Sequence, residues 1–229
     1  MTSGVLYLVA TPIGNLSDIT FRAIEILKSV DAIACEDTRH SKILLDHYGI
    51  KKPLTSFHDF SPKKRAPELI SKIKNGTKLA LISDAGTPGI ADPGYRLINE
   101  AIREGIKIEV IPGPSALISA LVVSGLPTDS FIFLGFMPVK EGQKRTKLLS
   151  LKNETRTVIF YESPHRFLKT LKAIEETLGD IPIVAARELT KKFEEVLRTK
   201  VSEIISHFSA KKVLGEFVIL WNLKSTFDK

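Results

Sequence analysis

The chain has 229 residues, 33 of them Lys or Arg against 26 Asp or Glu, for a formal net charge of +7. Hydrophobic residues make up 43% and charged residues 26%, globular values that exclude a disordered or collagen-like chain. One cysteine, Cys35, excludes an intramolecular disulfide and any multi-cysteine zinc site.

The opening residues lack a basic n-region and carry too short an apolar run for a signal peptide. Val5–Ala10 reads as a buried strand ending in a glycine turn. Ala23, Ile24, Leu27 and Val30 share one helix face. Ala32–Cys35 is a second strand. Thr38–Tyr48, with Ile43, Leu44 and Tyr48 on one side and Gly49 as its stop, is a second helix. Leu54–Phe57, Ala66–Ile73 and Lys78–Ser83 continue the alternation. Asp92 then caps a helix with Pro93 at its first position, and Ile108–Ile111 closes the series. Strands alternating with helices predict a mainly parallel sheet covered by helices.

Ile111-Pro-Gly-Pro-Ser115 breaks this rhythm, which predicts an N-terminal α/β domain over 1–113 and a C-terminal one over 114–229. The apolar helix Ser115–Val123 and strand Phe131–Gly135 follow. The longest apolar run, Ala116–Leu126, is too short to span a membrane. Lys140–Lys147 reads as a basic loop, Thr157–Glu162 as a strand, and a helix starts at Ser163 with Leu168, Leu171 and Ile174 on its face. Ile181–Ala186, a short helix near Val201–Phe208, and Phe217–Trp221 complete the chain.

In open α/β sheets, ligands sit beyond the carboxyl ends of strands. Ala10–Thr20 is a glycine turn entering a helix, able to hold an anion on backbone N–H groups or simply to turn, with Ser17 or Asp18 as the cap. Cys35-Glu36-Asp37-Thr38-Arg39-His40 offers two carboxylates and an arginine for acid–base work or phosphate binding. Its plain alternative has Asp37 or Thr38 capping the helix and Arg39 pairing with Glu36. Ser83-Asp84-Ala85-Gly86-Thr87-Pro88-Gly89 has the small residues that let a ligand approach the backbone. Pro112–Ala116, Phe160–Arg166 and Ala185–Lys191 also follow apolar strands. The positive charge suits a polyanionic partner, nucleic acid first, or a solvated basic surface.

Taken together, LYLVATPIGNLSDITFRA, CEDTRH, SDAGTPGIADPGYRL, IPGPSAL, SGLPTDSFIFLGFMP, FYESPHR, ARELTK and GEFVIL resemble the ribosomal RNA small subunit methyltransferase I family. That family is part of the tetrapyrrole methylase-like, class III methyltransferases. The likeness runs in order from Leu6 to Leu220. It implies two small α/β domains with an S-adenosyl-L-methionine cleft between them, in a cytoplasmic homodimer. It also implies methyl transfer to the ribose 2′-hydroxyl of a cytidine in the decoding region of 16S rRNA, within the small ribosomal subunit. Carried over by motif, Pro12, Gly14, Asp84, Gly86, Thr87, Ser115, Ala116, Tyr161 and Ala186 are the expected cofactor residues. Many members continue past the final strand into a basic tail. If that tail helps hold RNA, this sequence, which reads to Lys229, is expected to do so with its core and Lys140–Lys147.

Methyl transfer to a ribose hydroxyl is an in-line displacement that gains from positioning and a proton acceptor. Glu36 or Glu162 is expected at the hydroxyl, with Arg39, Arg166 or Arg187 on flanking phosphates; Asp37, Glu188 and Lys191 are further candidates. No metal is expected: His40, His47, His58, His165 and His207 are scattered, and Cys35 reads as a small core residue. A small-molecule methyltransferase acting on a tetrapyrrole-type substrate would share the fold and cofactor, but the charge and the CEDTRH and FYESPHR runs argue against it. A nicotinamide oxidoreductase would need a G-x-G-x-x-G turn that is absent. A non-enzymatic RNA-binding module leaves the cofactor-like loops without a purpose.

Overall fold

The computed structural model describes residues 4–57, 62–210 and 212–226, at 62–64 by backbone alone, so that Lys229 and His58 lie outside the described residues. Two compact units divide at Ser115/Ala116, whereas the proline–glycine break had placed the boundary at Gly113/Pro114. Among the described residues no helix is long and apolar enough to cross a membrane.

The first unit is a parallel sheet of β1 (Val5–Val9), β2 (Ala32–Cys35), β3 (Leu54–Ser56), β4 (Lys78–Leu81) and β5 (Lys107–Ile111), in the order β3-β2-β4-β1-β5. Its helices are α1 (Phe21–Ser29), α2 (Thr38–His47), α3 (Pro62–Lys74) and α4 (Gly94–Arg103). The steps β1 to β2 and β2 to β3 run one way along the sheet; β3 to β4 and β4 to β5 run the other way. Right-handed crossovers must therefore put α1 and α2 on one face and α3 and α4 on the other. The core obeys this. Ala23, Leu27, Leu44 and Leu45 pack with Ile33, Cys35, Ala80 and Ile82, while Leu69, Ile73, Leu97 and Ala101 pack with Leu6, Ala34, Leu79 and Leu81. Successive strand residues alternate between the two cores, and the double cover explains the near-continuous apolar strands.

Several local expectations are corrected. Thr20, not Ser17 or Asp18, caps α1 by accepting the Ala23 N–H at 3.1 Å. Ile43 is exposed, and Leu45 takes its place in the core beside Leu44. Pro93 occupies the cap position of α4 itself, and Asp92 accepts the N–H groups of Gly94 and Gly89.

The second unit holds α5 (Ala116–Ser124), β6 (Phe131–Phe136), α6 (Glu141–Leu149), β7 (Thr157–Glu162) and α7 (Phe167–Leu178). It continues with β8 (Pro182–Arg187), β9 (Glu195–Lys200), α8 (Val201–Ser209) and β10 (Phe217–Trp221). The mixed sheet runs β6-β7-β10-β8-β9, parallel only between β6 and β7. β6, β7 and β8 therefore point the same way, and their carboxyl ends share one sheet end with the start of β10. Val158, Phe160, Ala185, Phe217 and Ile219 face α6, α7 and α8 in one core. The alternate residues face the side on which α5 packs.

Three expectations fail here. The helix expected from Ser163 begins at Phe167, after a turn in which the Ser163 carbonyl accepts the N–H groups of Arg166 and Phe167. The edge strand β9 was not foreseen, because its sequence EVLRTK is mostly polar. The basic loop is instead mostly helix: α6 follows Lys140, and Lys144 is turned inward with its side chain 2% exposed, 3.4 Å from Glu141. The Lys144 stem takes the apolar place one turn before Leu148.

We expect Lys144→Ala to destabilise the protein by about 2–5 kcal/mol, as truncation of a long buried side chain does. Thermal unfolding would register it, and RNA binding per folded molecule should hold. An unchanged melting temperature with weakened RNA binding would instead return Lys144 to the surface.

Candidate functional site

Four loops of the first unit meet at the carboxyl end of its parallel sheet. Thr11, after β1, and Gly86, after β4, exchange backbone hydrogen bonds at 2.9 and 3.0 Å. Thr11 Oγ1 donates to the Ser83 carbonyl at 3.1 Å. Thr87 Oγ1 donates to the Pro114 carbonyl, after β5, at 3.3 Å. Gly86 sits at φ +81°, and a Cβ there would point at Ile13 Cγ2 and the Pro114 carbonyl. Glycine adopts that backbone at low cost, and a side chain there would pack against Ile13 and Pro114. Pro12 is buried, Gly14 is exposed, and Ser115 is half-buried.

The loop after β2 joins this group through a carboxylate. Asp84 Oδ1 accepts the Asp37 N–H at 3.1 Å, tying the SDAGTPG loop to the CEDTRH loop. Asp37 caps α2 by accepting the Arg39 N–H at 2.8 Å, and it also binds the Arg39 guanidinium through both carboxylate oxygens. Arg39 thus pairs with Asp37, at 2.8 Å. The guanidinium beside Asp37 holds its carboxyl well below the usual carboxylate range. Arg39 nevertheless keeps 90% of its side chain exposed. Glu36, half-buried, follows the fully buried Cys35, whose thiol burial pushes up.

In the second unit the sheet separates the expected residues by face. Tyr161, Val218 and Ala186 stand opposite one another across β7, β10 and β8. The Tyr161 hydroxyl accepts the Leu117 N–H of α5 at 3.2 Å, and burial pushes its phenol pKa up. Ala186 is 0% exposed. One residue on, Glu162, Phe217 and Arg187 stand opposite one another and so face the other side.

Glu162 is closed on all sides. Its side chain is 0% exposed, and its oxygens sit 2.6 Å from Arg166 Nη2, 2.6 Å from the Thr170 hydroxyl and 2.9 Å from the Ser163 N–H. Arg166 Nη1 also donates to the Met137 carbonyl at 3.0 Å. Arg187 is similarly committed, donating to the Leu214 carbonyl at 2.6 Å and pairing with Glu195 at 3.3 Å. Lys191 bridges Glu188 and Glu216, each at 2.9 Å. Sequence reasoning missed Thr170 and Met137, which complete the Glu162 and Arg166 contacts from 8 and 29 positions away.

A profile of the tetrapyrrole (corrin/porphyrin) methylases matches residues 5–205. A Thermotoga maritima protein named ribosomal RNA small subunit methyltransferase I is 53% identical over 218 residues, which is 95% of this chain and 97% of that protein. The chain belongs to the ribosomal RNA small subunit methyltransferase I family. The Bacillus subtilis member is 45% identical over 95% of this chain and 74% of its own length. Solved structures share the fold at low identity. Diphthine synthase has a TM-score of 0.75 at 16% identity, covering 95% of this chain and 90% of its own. The cobalamin biosynthetic enzyme cobalt precorrin-4 methyltransferase has 0.69 at 19%, covering 94% and 93%.

The family depends on S-adenosylmethionine. The residues present fit such a group: Gly86 presents backbone without a side chain between Ile13 and Pro114, and Asp84 on the same loop offers a partly exposed carboxylate.

Proposed function

We propose that the chain is an S-adenosylmethionine-dependent methyltransferase acting on the ribose 2′-hydroxyl of a cytidine in the decoding region of 16S rRNA. The observation that carries this reading is the 53% identity to a small subunit rRNA methyltransferase over 97% of that protein's length. Small subunits in the cytoplasm are the proposed substrate, and the active form is a homodimer. The exposed apolar residues Ile118 and Val122 on α5 support self-association.

Pro12, Gly14, Asp84, Gly86, Thr87, Ser115, Ala116, Tyr161 and Ala186 are the proposed cofactor residues. When bound, S-adenosylmethionine supplies a methyl group activated by its sulfonium. The chain's own task is to align the hydroxyl and take its proton. Glu36 fits that role, because its loop is anchored through Asp37 to Asp84. Glu162 does not fit it, since its oxygens already receive three donors. Arg39 fits a phosphate contact, while Arg187 holds the ends of β8, β9 and β10 together.

Calorimetry with S-adenosylmethionine, then transfer of a labelled methyl group to small subunit RNA, tests the reading. Labelling of a tetrapyrrole but not of RNA would favour the small-molecule alternative that the family profile also describes. With Lys144 buried, Arg145 and Lys147 are the outward basic residues of α6. Replacing both with Ala should flatten the salt dependence of RNA binding by up to about 0.7–0.9 log units per lost contact. An unchanged slope would place the phosphate contacts elsewhere.

A further inference from the structure

Phe136, at the end of edge strand β6, is an aromatic ring with no evident reason to be exposed. It follows Gly135, at φ +65°, where the register with β7 shifts between Phe133 and Phe136. Such a bulge re-aims the next side chain. The ring stands edge-on to Tyr161, with centroids 5.7 Å apart, yet keeps half of its surface open.

The Arg166 guanidinium lies 6.0 Å from the centre of this ring. It is fixed there by two anchors, the Met137 carbonyl and the buried Glu162 carboxylate. Glu162 is fixed in turn by Thr170 and Ser163. The carboxylate so held ties Arg166 to the turn after β7 and to α7. The buried pair costs desolvation of both charges, which is weak support for a role in stability alone. A half-exposed ring with a clamped guanidinium over it is an aromatic and cationic pair of the kind an unstacked nucleobase packs against.

We propose that Phe136 and Arg166 form a preset stacking platform for a base of the RNA substrate, with Glu162 as the positioning residue that holds Arg166 in plane. This rests on the RNA reading above and adds to it the surface that receives a base. A phosphate needs only the cation; the aromatic ring and the bulge that presents it favour a base. The ring's contact with Tyr161 puts the platform beside a residue assigned to the cofactor.

Steady-state methyl transfer to small subunit RNA by the full chain tests this, with calorimetric cofactor affinity and melting temperature measured for every variant. Phe136→Ala should raise the KM for RNA by about 5- to 100-fold, the range for a lost base–aromatic stack. Cofactor affinity and kcat should hold, and Phe136→Trp should restore most of the loss. Glu162→Gln and Arg166→Ala should each raise the same KM, and the double variant should be no worse than the worse single one. Glu162→Asp, which keeps the charge, should recover part of the loss. A parental KM in Phe136→Ala, or no rescue by Trp, overturns the platform. A large fall in kcat with unchanged KM in Glu162→Gln overturns the positioning role. A parent protein that binds cofactor but never methylates RNA overturns the substrate reading and the platform with it, whereas activity in the parent keeps the two failures apart.

Discussion

Asp84→Ala should weaken S-adenosylmethionine binding by roughly ten- to hundredfold while the protein stays folded. The Asp84 carboxylate lies half-exposed on a glycine-rich loop at the end of a buried parallel strand, and it already holds the Asp37 N–H. Charge-assisted hydrogen bonds are worth about 1.5–3 kcal/mol each, so one lost to the cofactor sets that range. The variant also unties the CEDTRH loop, so turnover at saturating cofactor should fall as well. Asp84→Asn separates the two effects, because its amide oxygen still accepts the Asp37 N–H but carries no charge. It should lose cofactor affinity yet keep more turnover than the alanine variant. Parental affinity in both variants would remove Asp84 from the cofactor site.

Glu36→Gln should lower kcat by about 10²–10⁴-fold, the usual contribution of a positioned base. Cofactor affinity should hold, because this side chain is assigned to the ribose hydroxyl and not to the cofactor. Parental turnover in Glu36→Gln would move the proton to another acceptor.

The strand-end loops were legible because each follows an apolar run that only a doubly covered strand needs. Cys35 before Glu36 and Ile82 before Ser83 and Asp84 mark where buried sheet gives way to polar chemistry. Helix faces were legible where apolar spacing was clean, as at Ala23 and Leu27. Lys140–Lys147 was misread because Lys144 buries its stem while its residue type signals solvent, and Gly142 suggests a loop. β9 was hidden because four of its six residues are polar and the two apolar ones, Val196 and Leu197, are adjacent, so no alternation shows. The identity of the charged residues was plain, but their partners were not. Nothing local tells that Glu162 meets Thr170, or that Arg166 reaches Met137 at the end of the neighbouring parallel strand. The face on which a strand-end residue lands also depends on register, and a single step separates Tyr161 from Glu162.

The central claim is the chemistry of the methylated position. Small subunit RNA labelled by the protein with S-adenosylmethionine should be hydrolysed in alkali and its products separated. A 2′-O-methyl group blocks cleavage of the adjoining phosphodiester, so the label should appear in an alkali-stable dinucleotide whose 5′ residue is cytidine. Label recovered in a mononucleotide, with the methyl group on a base nitrogen or carbon, would contradict the account.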